Sequence, residues 1–321
     1  RLAVLLAGIV TIPLAWLLAR RLLGSAWWAT LVAGLGAVDG LLIVQSRTAT
    51  LDGLLPPLVV GAALCGVVHL DRHRRQDLSP ALVVAGALLG AAVAVKWQVA
   101  PVVLGAALAF AVPGRRDRRA LLHAVIAFVA VPLAVYVASY AGQFADGMTP
   151  AGWLRLQRDM VEYHRQFRVD HVYDSSPLSW LLLRRPVSYG VTESDGHVAV
   201  TLALGNPVLW WSFVASLPVL VATWWRGRDR TVELVLLAWA TLHLSWLVVL
   251  RPGFLYYLTP LVPFMALGVA WTLRRIDRRA VTVALAVAAT VAFVAYLPVW
   301  THERISEGRF DTLMLLDSWR P

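Results

Sequence analysis

Long apolar runs separated by short polar connections dominate this sequence. They cover residues 2–19, 27–46, 52–70, 80–96, 98–112, 120–142, 207–225, 231–250, 254–273 and 280–299. Most have the length of about 17–23 residues that a helix needs to cross some 30 Å of hydrocarbon. The ten-residue alternation typical of membrane β-strands does not occur in them. The pattern predicts an all-α polytopic membrane protein with ten transmembrane helices.

Arginine clusters occupy every second connection between these runs. The clusters are Arg20-Arg21; Arg72, Arg74 and Arg75; Arg115, Arg116, Arg118 and Arg119; Arg226, Arg228 and Arg230; and Arg274, Arg275, Arg278 and Arg279. Such connections are cytoplasmic by the positive-inside rule. The other connections then face outward, including the external loop 143–206 and the external tail 300–321. This distribution accounts for the net charge of +10, so it does not indicate nucleic-acid binding.

The start of the chain bears on its completeness. On this orientation the first run begins outside, yet the sequence opens at Arg1 with no methionine and no signal peptide. We therefore expect at least one further span upstream, which makes residues 1–321 a single, N-terminally truncated transmembrane domain.

Composition narrows the class of chemistry. Apolar residues make up 59% of the chain and its mean hydropathy is +0.67. The single cysteine, Cys65, lies within an apolar run, which excludes a disulfide framework and a thiolate metal site. Nucleophile elbows, phosphate-binding glycine loops and nucleotide fingerprints do not occur. This favours a donor delivered by the membrane, such as a polyprenyl-phosphate sugar, over a cytosolic nucleotide sugar.

The segment 143–206 is the one long polar interval. At about sixty residues it exceeds an ordinary connection, and loops of that length are usually functional. Apolar residues recur at helical spacing over Trp153–Phe167, which predicts an amphipathic helix on the membrane surface. It is either the wall of a reaction site or only a cover for the bundle. Two spans should also be interrupted by proline, the third at Pro56-Pro57 and the ninth at Pro260 and Pro263.

Basic residues at the outward ends of spans are candidates for contact with a lipid-linked phosphate. Lys96, the only lysine, precedes Trp97 at the end of the fourth span. Alternatively, Lys96 contacts no phosphate and only marks the boundary of the membrane. Arg47 either pairs with Asp52 or holds a phosphate through its planar fork.

Further polar residues near the spans give weaker signals. Arg251 forms a similar outward group with Tyr256 and Tyr257. His164 and His171 lie seven residues apart without carboxylates nearby, a pattern that does not indicate a metal site. Asp39 lies inside the second span, where we expect it to be protonated or hydrogen-bonded, and we assign it no function.

Several motifs in order resemble the protein O-mannosyltransferase family, especially its actinobacterial members. In the first half they are Asp39-Gly40-Leu41-Leu42 through Ser46-Arg47-Thr48 and Leu51-Asp52, then Val95-Lys96-Trp97. In the outer loop they are Tyr163-His164, His171-x-Tyr173-x-Ser175-Ser176-Pro177-x-Ser179-Trp180 and Leu182-Leu183-Arg184-Arg185-Pro186-Val187. Last come Leu204-Gly205-Asn206-Pro207-x-x-Trp210-Trp211 and Phe254-x-Tyr256-Tyr257. Each is weak alone, but the ordered set extends over nearly the whole chain.

The resemblance implies a GT-C glycosyltransferase with eleven spans, which the ten runs plus one upstream would reproduce. It implies transfer of mannose, with inversion, from polyprenyl-phosphate-mannose to Ser or Thr hydroxyls of exported proteins outside the plasma membrane. The Sec export machinery is a candidate partner. The donor is a substrate, no permanently bound cofactor or metal is implied, and a metal requirement stays open.

Site residues follow from the matching motifs. The general base in the family is attributed to an Asp-Glu pair in the first external loop, which would lie upstream of Arg1, so the catalytic residues of this chain are unknown. Arg1 itself resembles the arginine that opens the family's second span. Candidates for donor phosphate or lipid contact are Lys96, Arg47, Arg251, Tyr256 and Tyr257. Candidates for acceptor or donor contact in the outer loop are His171, Tyr173, Trp180, Arg184, Arg185 and Asn206.

The sequence departs from the family pattern at two places, and alternatives remain. Leu178 stands where the family has a first tryptophan, and Gln98-Val99-Ala100-Pro101 replaces an expected Ser-Gly after Lys96-Trp97. A related GT-C enzyme acting on a lipid or polysaccharide, a transporter, and a non-catalytic lipid-binding remnant are the other functions considered. A transporter would favour broken helices in repeated halves, and no such repeat occurs.

Overall fold

The computed structural model describes residues 1–73, 77–111, 117–166, 171–227, 229–249 and 251–321. Arg74, Arg75, Arg115, Arg116 and Arg228 of the arginine clusters lie outside the described residues, as does the predicted helix end at Phe167.

Helices form almost the whole structure, which confirms the predicted all-α class. Before the long polar segment they are α1 Leu2–Leu23, α2 Ala26–Ala37, α3 Gly40–Thr48, α4 Leu55–Arg72, α5 Pro80–Val95, α6 Ala100–Ala111, α7 Arg118–Val125 and α8 Val131–Ala138. A π-helical turn, Ile126–Ala130, joins α7 to α8. Within the polar segment lie α9 Ala141–Ala145, α10 Pro150–Gln166 and α11 Pro177–Trp180. After it come α12 Pro207–Arg226, α13 Arg230–Leu242, α14 Val262–Ile276, α15 Arg279–Thr301 and α16 Glu307–Leu313.

The predicted count of ten spans is too high. Among the described residues, seven helical stretches are long and apolar enough to cross a membrane. They are Leu2–Leu23, Leu51–Arg72, Arg118–Ala138, Pro207–Arg226, Arg230–Val248, Leu255–Ile276 and Arg279–Thr301. The second predicted span is a pair of helices, α2 and α3, bent by 55°, and counting it gives eight. The fourth and fifth are the shorter apolar helices Pro80–Val95 and Trp97–Ala111, because the chain breaks at Lys96.

Short 3₁₀ turns begin or end several of these spans. They are Leu51–Leu54, Trp97–Val99, Leu244–Val248, Leu255–Leu261 and, in the tail, Asp317–Trp319. Pro56-Pro57 and Pro263 lie in the first turns of α4 and α14, where a missing N–H costs nothing. The predicted interruptions are therefore changes from 3₁₀ to α-helix near the span ends. All but the tail turn lie at one end of the bundle, where residues 143–206 join the spans; we call it the loop end.

The long polar segment also contains a β-hairpin that the sequence pattern did not predict. Strand β1, Val187–Ser194, pairs antiparallel with β2, His197–Ala203, across the turn Asp195-Gly196. Both turn residues have positive φ, 50° and 69°, as a two-residue hairpin requires. A two-residue strand β3, Ile305–Ser306, adds to the other side of β2. Thus β2 is central and largely buried, and β1 is an edge strand.

A buried carboxylate fixes the bent helix pair to the end of the hairpin segment. Asp39 caps α3, accepting hydrogen bonds from the amides of Leu41 and Leu42 at 3.0 and 3.1 Å. Its other oxygen accepts from the Asn206 amide and the Trp210 indole, both at 2.9 Å. The fully buried Asp39 thus satisfies four donors from two parts of the chain.

Candidate functional site

Four of the 3₁₀ turns at the loop end bring polar and aromatic side chains together. Asp52 lies in the turn before α4, Lys96 immediately before the turn that opens α6, and Tyr256 and Tyr257 in the turn before α14. Trp246 lies in the turn that follows α13. These residues lie at the ends of neighbouring helices, where their side chains meet. We call this cluster the loop-end site.

Lys96 is the centre of the loop-end site. Its Nζ donates to both carboxylate oxygens of Asp52, at 2.9 and 2.8 Å. Gln98 donates to the same carboxylate at 3.1 Å. The ammonium also lies 4.2 Å from the ring centroid of Tyr257 and 5.4 Å from that of Tyr256, within cation–π range. Asp52 is almost completely buried, with 5% of its side chain exposed, against 22% for Lys96.

Arg251 supplies a second cation beside the same tyrosine. Its guanidinium carbon lies 5.8 Å from the Tyr257 ring centroid and 5.6 Å from that of Trp246. It donates to the Tyr257 hydroxyl at 3.3 Å and to His164 Nδ1 at 2.9 Å. Among the described residues, no carboxylate forms an ion pair with Arg251, and Asp52 is paired with Lys96.

His164 connects α10 to the loop-end site. Burial, and then the positive charge of Arg251, lowers the pKa of His164. The imidazole is therefore neutral at pH 7, with Nδ1 as the acceptor for Arg251. Its ring centroid lies 6.0 Å from that of Trp97. The predicted amphipathic helix thus lies over the site, and its histidine contacts a site residue.

This contact should be lost in acid. Because the pKa of His164 is lowered in the folded protein, the unfolded chain binds more protons, and the contact stabilises the fold only above the ordinary histidine value of about 6.5. We expect the thermal stability of the wild type to fall more steeply than that of His164→Gln as the pH drops from about 7 to about 5. His197→Gln, on the hairpin, is the control. Parallel curves for wild type and His164→Gln would contradict the assignment.

A hydrogen-bonded tyrosine from the hairpin completes the site. Gln45, on α3, donates to the Tyr189 hydroxyl at 2.9 Å. The Tyr189 ring lies 6.0 Å from that of Tyr256. Burial raises the pKa of Tyr189, so its hydroxyl stays protonated. Gln45 also accepts a hydrogen bond from Thr50. The first residues of β1 therefore belong to the site.

An apolar cavity of about 950 Å³ lies between the spans and extends toward their arginine-cluster ends, as far as Arg230. It is lined by α4, α5, α6, α12, α13 and α14, with residues such as Val59, Val102, Ala106, Leu237 and Phe264. Its volume falls within the range of ligand pockets, about 300–1,000 Å³. Aliphatic and aromatic side chains make up most of the lining, so the cavity suits a hydrocarbon chain.

Two predicted site residues make their hydrogen bonds to other elements of the fold. Arg47 donates from Nη1 to the Trp300 carbonyl at 2.9 Å and from Nη2 to the Thr301 carbonyl at 3.2 Å, capping the end of α15. It does not pair with Asp52. Asn206 is buried and donates to the carbonyls of Val38 and Ala289. Both residues therefore hold elements together.

The remaining loop candidates surround the site at different depths. Trp180 is fully buried, 6.0 Å from the Tyr257 ring, and donates to the Ser175 carbonyl at 3.1 Å. His171 is exposed and lies 4.9 Å from the Phe254 ring. The Arg185 guanidinium lies 5.3 Å from the Tyr173 ring.

Arg184 is also exposed, beside two residues of positive φ, Leu183 and Arg185. Thus Trp180 supports the site from inside, whereas His171, Tyr173 and Arg185 form a chain of contacts that reaches it through Phe254.

Sequence reasoning missed four members of the site. Gln45, Gln98, Tyr189 and Trp246 were not singled out as site residues, and His164 was not among the candidates. Gln98 follows Lys96 at once and could have been included by adjacency. The others come from distant parts of the chain, and no local pattern marks them.

Comparisons with known proteins agree with this architecture. Residues 1–140 match the family model described as dolichyl-phosphate-mannose-protein mannosyltransferase. Residues 150–319 match that of the C-terminal four-transmembrane region of protein-O-mannosyltransferase. The chain belongs to the protein O-mannosyltransferase family. The resemblance stated from the motifs is thereby confirmed, and the protein is a glycosyltransferase.

Similar curated proteins come from several actinobacteria. The chain is 28% identical to the polyprenol-phosphate-mannose–protein mannosyltransferase of Mycobacterium tuberculosis, over 98% of this chain and 75% of that protein. It is also 28% identical to the protein of the same name from Mycolicibacterium smegmatis, over 98% of this chain and 76% of that protein. The identity to the protein of the same name from Corynebacterium glutamicum is 27%, over 100% of this chain and 77% of that protein.

A solved structure shows the same fold. The S. cerevisiae protein O-mannosyltransferase Pmt1-Pmt2 complex, solved bound to the sugar donor, aligns with a TM-score of 0.83. The alignment covers 98% of this chain and 80% of the yeast chain, at 12% identity. The predicted GT-C class of this membrane-embedded transferase is confirmed by that likeness.

Proposed function

We propose that this protein transfers mannose from a polyprenyl-phosphate donor to Ser or Thr hydroxyls of exported proteins, with inversion at the sugar. The relatives' names describe mannosyl transfer from polyprenol-phosphate-mannose to protein. One observation of the structure carries the proposal: two cations lie at the loop end of the spans that line an apolar cavity of about 950 Å³.

The site and the cavity lie on the same three spans, at different depths. Val59 follows Asp52 by seven residues, Val102 follows Lys96 by six, and Phe264 follows Tyr257 by seven. At 1.5 Å per helical residue, the cavity begins about 10 Å from the site. A lipid phosphate held by the cations would therefore place its isoprenoid chain in the cavity.

The cations have a defined task in the proposed reaction. The acceptor oxygen forms a bond to the anomeric carbon of mannose, and the bond from that carbon to the phosphate oxygen breaks with its electron pair. Negative charge then grows on the departing polyprenyl phosphate. Arg251, which pairs with no carboxylate of the described residues, stabilises that charge. Lys96 shares its charge between Asp52 and the phosphate.

The acceptor proton needs a general base. The family resemblance attributes this role to an Asp-Glu pair in the first external loop, and we propose none of the residues described here in its place. Asp52 is unsuited to it, because both of its oxygens accept hydrogen bonds from Lys96.

We further propose that the loop-end site faces outward from the plasma membrane. The described arginine clusters lie at the opposite ends of the spans, where Asp71 pairs with Arg21 and Arg230 at 3.4 and 3.1 Å. The positive-inside rule places that end in the cytoplasm. Exported chains emerge on the other side while still unfolded, which makes the Sec machinery a plausible neighbour.

A transfer assay with product analysis tests the function. Purified protein in lipid nanodiscs would receive polyprenyl-phosphate-[¹⁴C]mannose and a Thr-rich peptide. We expect peptide-bound mannose that alkali releases by β-elimination, with an anomeric configuration opposite to that of the donor. Label recovered only in a lipid or polysaccharide fraction would support the alternative acceptor class and contradict protein O-mannosylation.

Arg251→Gln should lower the rate of mannose transfer, whereas the same substitution outside the site should not. Loss of one preorganised charge-stabilising donor costs about 10²–10³ in rate, and we expect that loss in mannose transfer. Arg158→Gln is the matched control, because Arg158 is an exposed arginine of α10 on the same side of the bundle. Equal rates for the two variants would rule out Arg251 as the phosphate contact.

A further inference from the structure

One edge of the hairpin carries no other strand. The sheet has the order β1-β2-β3, so β1 pairs with β2 on one side only. The outer half of β1 is exposed from Val191 to Ser194. An edge strand of this kind presents backbone groups that can pair with another extended chain.

The backbone groups that face outward can be identified from the register. Ser194 pairs with His197 across the two-residue turn, and Thr192 pairs with Ala199. In an antiparallel hairpin these are the hydrogen-bonded pairs, so the residues between them turn their N–H and C=O away from β2. Those residues are Val191 and Glu193. Among the described residues, no hydrogen bond outside the sheet engages the backbone of either one.

This free edge leads directly into the loop-end site. The register of β1 shifts between Ser188 and Gly190, which makes Tyr189 a bulge. The Tyr189 ring lies 6.0 Å from that of Tyr256, and its hydroxyl accepts from Gln45 at 2.9 Å. A bulge ends regular pairing and redirects a side chain. A chain paired along β1 would therefore leave the ladder beside Tyr256.

We propose that the free edge of β1 binds the acceptor polypeptide as an added strand, through the backbone of Val191 and Glu193. The occupant is an extended segment of an exported protein that contains Ser or Thr. This inference rests on the proposed function, because it assigns the acceptor of the same site.

Two features of the edge fit such an occupant. Main-chain pairing gives affinity without requiring particular side chains, which suits an extended acceptor segment that has only its reactive Ser or Thr defined. At a rise of about 3.4 Å per residue, Val191 lies some 7 Å along the strand from Tyr189. The reacting hydroxyl would then lie opposite the bulge, two residues from the first backbone pair.

Backbone N-methylation of the peptide tests the pairing. A series of peptides with one reactive Thr would each carry a single N-methyl group, at successive positions on both sides of that Thr. On one side, we expect KM to rise about tenfold at every second position and little at the positions between, because each methyl at a paired amide removes a hydrogen bond. A flat profile, or a rise at every position alike, would overturn the added strand.

A variant of the enzyme gives an independent reading. Val191→Pro removes the outward N–H but none of the bonds to β2, and proline is tolerated at strand edges. We expect an about tenfold higher KM for the peptide, with kcat reduced much less. Thr192→Ala, whose amide faces β2, is the control, and thermal melts report folding. An unchanged KM for well-folded Val191→Pro would contradict the proposal.

Failure of the proposed function and failure of the added strand give different experimental results. If the wild type transfers no mannose to any peptide, the proposed function fails. If it transfers mannose but the N-methyl series shows no period of two, only the strand proposal fails.

Discussion

Lys96→Met should abolish transfer and also destabilise the protein. The substitution leaves the buried Asp52 carboxylate with Gln98 as its remaining partner in the site. Removal of one member of a buried ion pair costs about 3–5 kcal/mol. Removal of a charge from the phosphate site costs about 10²–10³ in rate. Mannose transfer and thermal unfolding measured on one preparation would check both effects.

The double variant Lys96→Met/Asp52→Asn distinguishes the two causes. Replacing the carboxylate by an amide removes the unpaired charge, so most of the stability should return. Transfer should stay low, because the cation that faces the phosphate is still missing. Recovery of transfer together with stability would show that Lys96 acts only through the fold. Asp52→Asn alone is the companion measurement.

Asp39→Ala should have the largest effect on stability away from the site. Four donors lose their acceptor at once: the amides of Leu41, Leu42 and Asn206 and the indole of Trp210. An unsatisfied buried donor costs about 1–3 kcal/mol, so we expect a total loss of more than about 3 kcal/mol in the free energy of unfolding.

Two comparisons make that expectation specific. Asp39→Asn keeps one acceptor oxygen and should lie between the wild type and Asp39→Ala. Asp117 is also an N-cap residue, but it is exposed and accepts from a single amide, that of Arg119 at 2.9 Å. Asp117→Ala should therefore cost only about 1 kcal/mol. Equal losses at positions 39 and 117 would contradict the role of the four-donor network.

Features that depend on local pattern could be predicted from the sequence. Apolar runs located every helix that crosses the bundle, because burial in hydrocarbon needs continuous apolar length. The predicted boundary between the fourth and fifth runs lies within one residue of the helix break at Lys96. Hydropathy alone could not show that the helices on each side of this break are shorter than full spans. The amphipathic helix was predicted for 153–167 and is found at Pro150–Gln166.

Features that depend on distant contacts could not be predicted. Asp52 and Lys96 are 44 residues apart and meet only because α4 and α5 pack together. The partners of Arg47 lie 253 and 254 residues away, and so nothing near it indicates a helix cap. The hairpin is a different case, because its signals are local and were not used: Val187, Tyr189 and Val191 alternate with Ser188, Gly190 and Thr192 in β1, and Asp195-Gly196 is a typical two-residue hairpin turn.

The measurement that tests the central claim most directly is photo-crosslinking with a polyprenyl phosphate that carries a diazirine on its isoprenoid chain. The account predicts crosslinks to residues that line the cavity, such as Val59, Val102, Ala106 and Leu237. It also predicts that Arg251→Gln, but not Arg158→Gln, weakens them. Crosslinks confined to lipid-facing residues of α1 and α15, or a pattern insensitive to Arg251→Gln, would contradict a donor held by its phosphate at the loop-end site.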